Sequence, residues 1–276
     1  MINQDTELSL NPPFLKTAVR RSLTHGSLFS GIGGFDLAAE WVGWNNIFHC
    51  EWIENKRQIL KQHFPTTNSY ADIREFDGTK YNGKIDIISG GFPCQDISIA
   101  NQSKKTNGAQ GIKGERSGLW KEYARLIREI RPGVIVFENS PMLLNRGFEV
   151  VLCDLSELGY DCEWRLFYAS QFGFPHRRER IYGIAYTRCE RWKGIIDKGG
   201  ILQEILPERT PRPVPLSIPL ERFHSKSSYD NVRMDDGFSR ELDKDRIHGL
   251  GNAIIPEIAF QIFKGLSLHD ASISVP

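Results

Sequence analysis

Short apolar runs alternate with amphipathic stretches between residues 27 and 186. The runs SLFS, NIFHC, KIDIIS and GVIVFE are rich in β-branched and aromatic residues, which is typical of strands. Between them, FDLAAEWVGW, ENKRQILKQHF, GLWKEYARLIREI and EVVLCDLSELGY place apolar residues three and four positions apart, which predicts helices. This alternation predicts an α/β fold with a mostly parallel sheet and helices on both of its faces.

The regular pattern ends after residue 187. Residues 188–245 are rich in proline, arginine and polar residues, which indicates either a small irregular lobe or a long functional excursion. Helical spacing returns in NAIIPEIAFQIFKGL. We therefore predict a polar lead-in (1–24), an α/β domain (25–187), an irregular region (188–245) and a segment (246–276) that returns to the α/β domain.

Composition narrows the class of protein only modestly. With 276 residues, 40% of them hydrophobic and 25% charged, the chain is an ordinary globular sequence. The formal net charge of +1 neither indicates nor excludes a nucleic-acid partner. No apolar run approaches the roughly 18 residues of a membrane helix. The five cysteines form no C-x-x-C pair and have no histidine at ligand spacing, so we expect no metal site and a reduced, cytoplasmic protein.

Ligands of an open α/β sheet bind at the carboxyl ends of its strands. One candidate there is FSGIGGFD, where Gly31, Gly33 and Gly34 lie between a predicted strand and a predicted helix. Glycines allow a ligand to approach the backbone closely at a helix N-terminus. A tight turn with no ligand explains the same residues equally well, and the loop lacks the G-x-G-x-x-G pattern of dinucleotide sites.

Glu51, Trp52 and Asp72 favour a ligand over an empty turn. Glu51 ends the next strand, about 17 residues after Gly34, where a βαβ nucleoside site places the carboxylate that holds ribose hydroxyls. The indole of Trp52 is expected to cover an adenine face, and Asp72 to meet the adenine amino group. Together they predict a nucleoside cofactor without a pyrophosphate, although each alone is also explained as a solvated charge or a core aromatic.

Cys94 follows a predicted buried strand and the residues Gly90, Gly91 and Pro93. A thiol in that position is a small buried residue, a metal or disulfide partner, or a nucleophile. The strand-exit loop would expose it at the ligand edge of the sheet, which favours the nucleophile. For Cys50, Cys153 and Cys162 we expect ordinary burial instead.

A carboxylate and an arginine cluster are expected beside this cysteine. Glu138 ends GVIVFE, whose strand should neighbour KIDIIS, so the thiol and the carboxylate should face one crevice. PHRRER then brings Arg177, Arg178 and Arg180 to the start of a further predicted strand. An arginine run is usually a solvated face, but this position indicates that at least one of them is functional.

Together these segments resemble the DNA cytosine-5 methyltransferases that use S-adenosylmethionine. FSGIGG is similar to the family's cofactor loop, GGFPCQ to its catalytic loop and GNAIIP to its last motif. ENS stands where the family has Glu-Asn-Val, and PHRRER where it has Pro-Gln-x-Arg-x-Arg. The resemblance implies a Rossmann-like class I methyltransferase fold, with residues 188–245 as a small irregular target-recognition lobe.

By this resemblance, the protein transfers a methyl group from S-adenosylmethionine to C5 of a cytosine that is flipped out of double-stranded DNA, through a covalent bond between Cys94 and C6. The implied chemistry requires no metal, and we expect a monomer because one base is handled at a time. Whether a restriction endonuclease accompanies the enzyme, as a functional and not a physical partner, stays open. The implied catalytic residues are Cys94, Glu138, Arg178 and Arg180. The implied cofactor contacts are Phe29, Gly31, Gly33, Gly34, Glu51, Trp52, Asp72, Ile73, Pro93, Leu119 and Asn252.

The sequence departs from the family pattern in three places. Ser140 replaces a valine, His176 replaces a glutamine, and the Arg-Leu-Gln-Gly-Phe-Pro segment expected before the last motif is missing. None of these removes a group that the chemistry needs, so we expect an active enzyme. Two alternatives stay open: a transfer-RNA cytosine-5 methyltransferase of the same family, and a DNA-binding member without catalytic activity.

Overall fold

The computed structural model describes residues 21–93, 119–189, 191–192, 195–196, 199–205 and 253–273. In these residues seven strands form one sheet. The strands are β1 (Thr24–Leu28), β2 (Asn45–Cys50), β3 (Asn68–Tyr70), β4 (Ile87–Gly90), β5 (Val134–Asn139), β6 (Tyr160–Tyr168) and β7 (Glu179–Thr187). The helices are α1 (Gly34–Trp41), α2 (Glu54–His63), α3 (Leu119–Ile130), α4 (Phe148–Glu157), α5 (Ile201–Glu204) and α6 (Pro256–Ile273).

The sheet is mostly parallel, as the alternation of strands and helices predicts. Its strand order is β3-β2-β1-β4-β5-β7-β6. The pairs from β3 to β5 are parallel, whereas β7 is antiparallel to both β5 and β6. The strand order reverses between β1 and β4. In an open α/β sheet, ligands bind outside the carboxyl ends of the strands at such a point.

Alternate residues of β5 pack into two hydrophobic cores on opposite faces of the sheet. Val134 and Val136 belong to a core that includes α1 and α6, and Ile135 and Phe137 to one that includes α3 and α4. All four side chains are buried. A strand that is covered on both faces has no polar side, which explains why the run VIVF is continuously apolar.

The boundaries of several elements differ from the sequence expectation. The first strand begins at Thr24 and ends at Leu28, because Phe29 already has a left-handed φ of 52°. The pattern did not predict β3, which has three residues, or β6, which is an edge strand with a mixed burial pattern. The last helix begins at Pro256, where a proline costs no helix hydrogen bond.

The described residues after β7 contribute to the core. Trp192, Ile201 and Leu202 are buried in the same cluster as α1 and α6. On the edge strand, Glu163 accepts the Ile201 and Leu202 N–H groups at 2.8 and 3.0 Å, and Arg165 donates to the Leu202 carbonyl at 2.7 Å. The predicted division into domains stays a prediction, since most of 188–245 lies outside the described residues.

Candidate active site

The β1–α1 loop needs glycine for two different reasons. Gly31 and Gly33 have left-handed φ angles of 59° and 90°, which other residues adopt only with strain. A Cβ at Gly31 would meet nothing within 4 Å, so the space above it is open. Gly34 instead serves packing, because a Cβ there would lie 2.7 Å from the Ile254 carbonyl oxygen. The loop and the last motif are thus in direct contact.

A buried cluster of hydrogen-bonded polar side chains lies beside the β1–α1 loop. The Ser27 hydroxyl lies 2.8 Å from both Asp36 carboxylate oxygens and 2.6 Å from the Ser30 hydroxyl. Burial raises the pKa of Asp36 to about 7, and its hydrogen bond with Ser27 opposes this rise. Sequence reasoning missed this support, because serine and aspartate beside a glycine turn are ordinary loop residues.

Glu51 lies against the glycine loop. Its Oε2 accepts the Gly31 N–H at 2.8 Å, and its Oε1 accepts the Ile53 N–H at 2.9 Å. Arg57 of α2 secures the same turn by donating to the carbonyls of Glu51 and Trp52 at 2.8 and 2.6 Å. Arg57 is a positioning residue that the sequence did not single out, since nothing in α2 separates it from a surface arginine.

Trp52 and Asp72, the two predicted adenine contacts, both interact with Arg74. The Arg74 guanidinium lies 5.1 Å from the centre of the Trp52 ring. It also donates to the Asp72 carboxylate, and these hydrogen bonds hold the pKa of Asp72 below its usual value. Ile73 is buried, and its carbonyl accepts from Arg125 at 2.7 Å. The sequence did not predict the part played by Arg74.

The exit of β4 is packed tightly against its neighbours. A Cβ at Gly90 would lie 2.9 Å from the Leu28 carbonyl oxygen, and one at Gly91 would lie 3.0 Å from Glu138 Oε2. Phe92 is buried, and its carbonyl accepts the Asn139 side-chain N–H at 3.2 Å. Asn139, the second residue of ENS, therefore holds the backbone two positions before Cys94, a role that the sequence did not assign.

Of five further predicted site residues, three lie in the described part of the chain and two lie outside it. Phe29 and Leu119 pack against the core of α3, and the Phe29 ring centre is 6.3 Å from that of Tyr123. Pro93 is partly buried at the end of the β4 exit. Cys94 and Asn252 lie outside the described residues.

Glu138 is a buried carboxyl beside an arginine. Arg180 Nε lies 3.0 Å from Glu138 Oε1, an ion pair without the alignment of a good hydrogen bond. Burial raises the pKa of Glu138, and the charges of Arg180 and Arg178 oppose this rise. Burial also lowers the pKa of Arg178, which donates to the Ala253 carbonyl at 3.1 Å. Arg178 thus connects this cluster to the segment before α6.

The structure also describes the departures Ser140 and His176 and three of the cysteines. Ser140 accepts the Met142 N–H at 3.4 Å and so begins a short 3₁₀ turn, which explains how serine is accommodated there. The His176 ring centre is 5.8 Å from that of Phe174. The expected burial of Cys153 is wrong, because its side chain is exposed on α4, whereas Cys50 is buried and Cys162 is partly buried.

The described residues contain neither a membrane-spanning helix nor a cluster of metal ligands. No helix in them is long and apolar enough to cross a membrane. They also contain no group of three or more His, Cys, Asp or Glu side chains placed to hold a metal ion.

The order of the strands, with an antiparallel β7 between β5 and β6, defines a class I methyltransferase fold. A solved structure with a similar fold is the S. pombe Dnmt2 methyltransferase, with a TM-score of 0.50 and 19% identity, covering 61% of this chain and 52% of that one. At this level of identity the likeness concerns the fold alone.

The family model of the C-5 cytosine-specific DNA methylases matches residues 23–261. The type II methyltransferase M.HpaII of Haemophilus parainfluenzae is 30% identical over 264 residues, covering 91% of this chain and 68% of that protein. M.Sau3AI of Staphylococcus aureus is 36% identical over 179 residues, covering 58% of this chain and 42% of that protein. The chain thus spans less than half the length of several curated relatives that it matches. It belongs to the C-5 cytosine-specific DNA methylase family.

Proposed function

We propose that this protein transfers a methyl group from S-adenosylmethionine to C5 of a cytosine in DNA. The observation that carries the proposal is the contact between the β4 exit and β5. Gly91 leaves room for the Glu138 carboxyl, and Asn139 holds the Phe92 carbonyl. The two strands are parallel neighbours, so the loop that leads to Cys94 begins beside the carboxyl that the chemistry needs.

The described residues fit the nucleoside part of S-adenosylmethionine. The open space above Gly31 lies next to the fixed carboxylate of Glu51, which is suited to ribose hydroxyl groups. Trp52 presents an exposed aromatic face, and Asp72 presents a carboxylate that can accept from an amino group. When bound, this cofactor supplies an electrophilic methyl group on a sulfonium. Pro93, Leu119 and Asn252 remain predicted contacts.

The proposed chemistry begins at Cys94. Its thiolate forms a bond to C6 of the cytosine, and the C5–C6 π electrons shift toward C4 and N3, which gives an enamine with a nucleophilic C5. C5 then takes the methyl group as the bond between methyl and sulfur breaks, its electron pair stays on sulfur, and S-adenosylhomocysteine is the leaving group. Negative charge develops toward N3, where a protonated Glu138 donates a hydrogen bond. Burial favours that protonated form. A base then removes the C5 proton, the S–C6 bond breaks, and the thiolate leaves.

In this proposal, Arg178 and Arg180 position the protein groups that surround the flipped cytosine. Arg180 fixes the orientation of Glu138, and Arg178 secures the chain before α6. The substrate is double-stranded DNA with the cytosine flipped out, at a cost of a few kcal/mol. Residues 188–245 are proposed to recognise the sequence around it. A monomeric state and a companion restriction endonuclease remain predictions.

Expression in a methylation-deficient bacterial host tests the proposal. C5-methylcytosine is mapped across the genome by conversion sequencing for the wild type, for Cys94→Ala, and for Cys153→Ala as a control at an exposed thiol. We expect methylation at one short motif in the wild type and in Cys153→Ala, and none in Cys94→Ala. If folded wild-type protein binds S-adenosylmethionine but leaves the genome unmethylated, the DNA activity is refuted, and transfer RNA is the next substrate to assay.

A further inference from the structure

Arg74 makes two contacts at the carboxyl edge of the sheet. Its Cζ lies 5.1 Å from the centre of the Trp52 ring, where a guanidinium interacts favourably with an indole. Its Nε lies 3.0 and 3.1 Å from the two Asp72 carboxylate oxygens, and its terminal NH2 nitrogen lies 2.7 Å from Oδ2. The Arg74 backbone N–H adds a third donor at 2.9 Å.

These are the two contacts that an adenine base would need. Adenine is planar, stacks on an aromatic face and donates from its amino group, and a guanidinium is also planar, cationic and rich in N–H donors. An ionised carboxylate accepts at about four positions. The side chain and backbone of Arg74 already use most of those on Asp72, so the guanidinium and an adenine amino group compete for the same acceptor.

We propose that Arg74 is an internal placeholder for adenine, which a nucleoside must displace from Trp52 and Asp72 in order to bind. This inference rests on the proposed function, since it concerns the cofactor of that reaction. Displacement is inexpensive because the Arg74 side chain is 58% exposed and returns readily to water, whereas Asp72 is only 11% exposed. Trp52 is 64% exposed, so its ring is accessible to an incoming base.

The Asp72 carboxylate determines which base can displace Arg74. A base displaces Arg74 only if it provides a donor for the Asp72 carboxylate, which the 6-amino group of adenine does. A 6-oxo purine presents an acceptor at that position and would leave the carboxylate without a donor. We therefore expect S-adenosylhomocysteine to bind more tightly than S-inosylhomocysteine, in the wild type and in variants of Arg74.

Titration calorimetry with S-adenosylhomocysteine tests the placeholder. We expect Arg74→Gln to bind about threefold to thirtyfold more tightly than the wild type, because one exposed ion pair and one cation–π contact no longer compete. Arg74→Lys should fall between them, since it keeps the charge but loses the planar fork. The difference in affinity between the wild type and Arg74→Gln should also decrease at high salt, because salt screens the ion pair.

Arg21→Gln is the matched control. Arg21 pairs with Asp86, and the two side chains are 68% and 8% exposed, close to the values for Arg74 and Asp72. Asp86 immediately precedes β4, at the opposite end of the sheet from the candidate site. Removing this ion pair should leave nucleoside affinity unchanged, and thermal unfolding of each variant shows that the fold is kept.

The outcomes separate the inference from the proposed function. If Arg74→Gln binds S-adenosylhomocysteine equally or less tightly than the wild type, Arg74 is a fixed wall of the subsite or a bystander, and the placeholder is refuted. If the folded wild type binds neither S-adenosylmethionine nor S-adenosylhomocysteine, the proposed function fails and the placeholder fails with it.

Discussion

Replacing Glu138 with glutamine should stabilise the protein at neutral and alkaline pH while removing its activity. The carboxyl is buried, and burial raises its pKa above the ordinary value of 4.5 despite the opposing charges of Arg180 and Arg178. Glutamine has nearly the same shape as the protonated acid and never ionises. Glu138→Gln therefore removes the cost of burying the carboxylate without creating a cavity. It also removes the ion pair with Arg180, and this loss opposes the gain.

The sign and size of the effect follow from proton linkage. A carboxyl whose pKa is raised by folding contributes stability that is fully present below the unfolded pKa and is lost as pH rises through the folded pKa. The difference in unfolding free energy between the variant and the wild type should therefore be smallest at acid pH. It should grow in favour of Glu138→Gln by about 1.4 kcal/mol for each unit by which folding raises the pKa.

Urea unfolding between pH 5 and pH 9 measures this difference. The exposed Glu157→Gln serves as a control, and its difference from the wild type should change little over the same range. If Glu138→Gln instead loses stability relative to the wild type as pH rises, then the ion pair with Arg180 outweighs burial and the reasoning is wrong. Methyl transfer should fall by about two to four orders of magnitude in the variant, since an amide cannot supply a proton.

Three further variants test the geometry of the site. Asn139→Ala should leave the buried Phe92 carbonyl without its donor, which costs about 1 to 3 kcal/mol, and should lower kcat in a methyl-transfer assay. Gly34→Ala would place a Cβ 2.7 Å from the Ile254 carbonyl oxygen, and calorimetry should show about 1 to 3 kcal/mol of destabilisation. Arg57→Gln should raise the KM for S-adenosylmethionine about tenfold with little change in kcat, because two backbone carbonyls lose a charged donor.

Each of these expectations has an opposing result. Unchanged kcat in Asn139→Ala would show that the loop does not depend on this amide. If Gly34→Ala unfolds at the same temperature as the wild type, the last motif moves away from residue 34 at little cost in free energy. An equal loss of kcat and affinity for DNA in Arg57→Gln, with KM for the cofactor unchanged, would separate Arg57 from the nucleoside site.

The sequence predicted the centre of the sheet well and its edges poorly. The first four residues of the buried strand β5 are all apolar, because both faces of the strand contact the core, so this pattern depends little on which strands are its neighbours. β6 is an edge strand whose Glu163 and Arg165 bind the backbone of α5. These two polar residues interact with that distant segment, which local periodicity does not reveal, so the pattern did not predict a strand.

The sequence likewise predicted some residues of the candidate site and missed others. Glu51, Glu138 and the glycine loop were found from the sequence because each lies at the end of a strand, and the ends of parallel strands meet at one edge. Arg57 and Arg74 were missed, although each is within hydrogen-bond distance of a predicted site residue or its backbone. The role of Asn139, which donates to the carbonyl of Phe92 one position before Pro93, was also missed. Nothing in their spacing separates Arg57 and Arg74 from surface residues, and the ENS motif includes Asn139 without assigning it a role.

The sequence alone determined the fold class and the family to which the chain belongs, and it predicted the edge of the sheet at which the candidate site lies. These follow from periodicity and from motifs that are short and continuous along the chain. Only the tertiary structure decided that β7 lies between β5 and β6, that the Glu138 carboxyl is buried beside Arg180, and that Arg74 contacts Trp52 and Asp72 together. Burial, charge and competition for one partner depend on which atoms folding brings together. Local patterns along the chain do not reveal these contacts, because the residues involved are distant in the sequence.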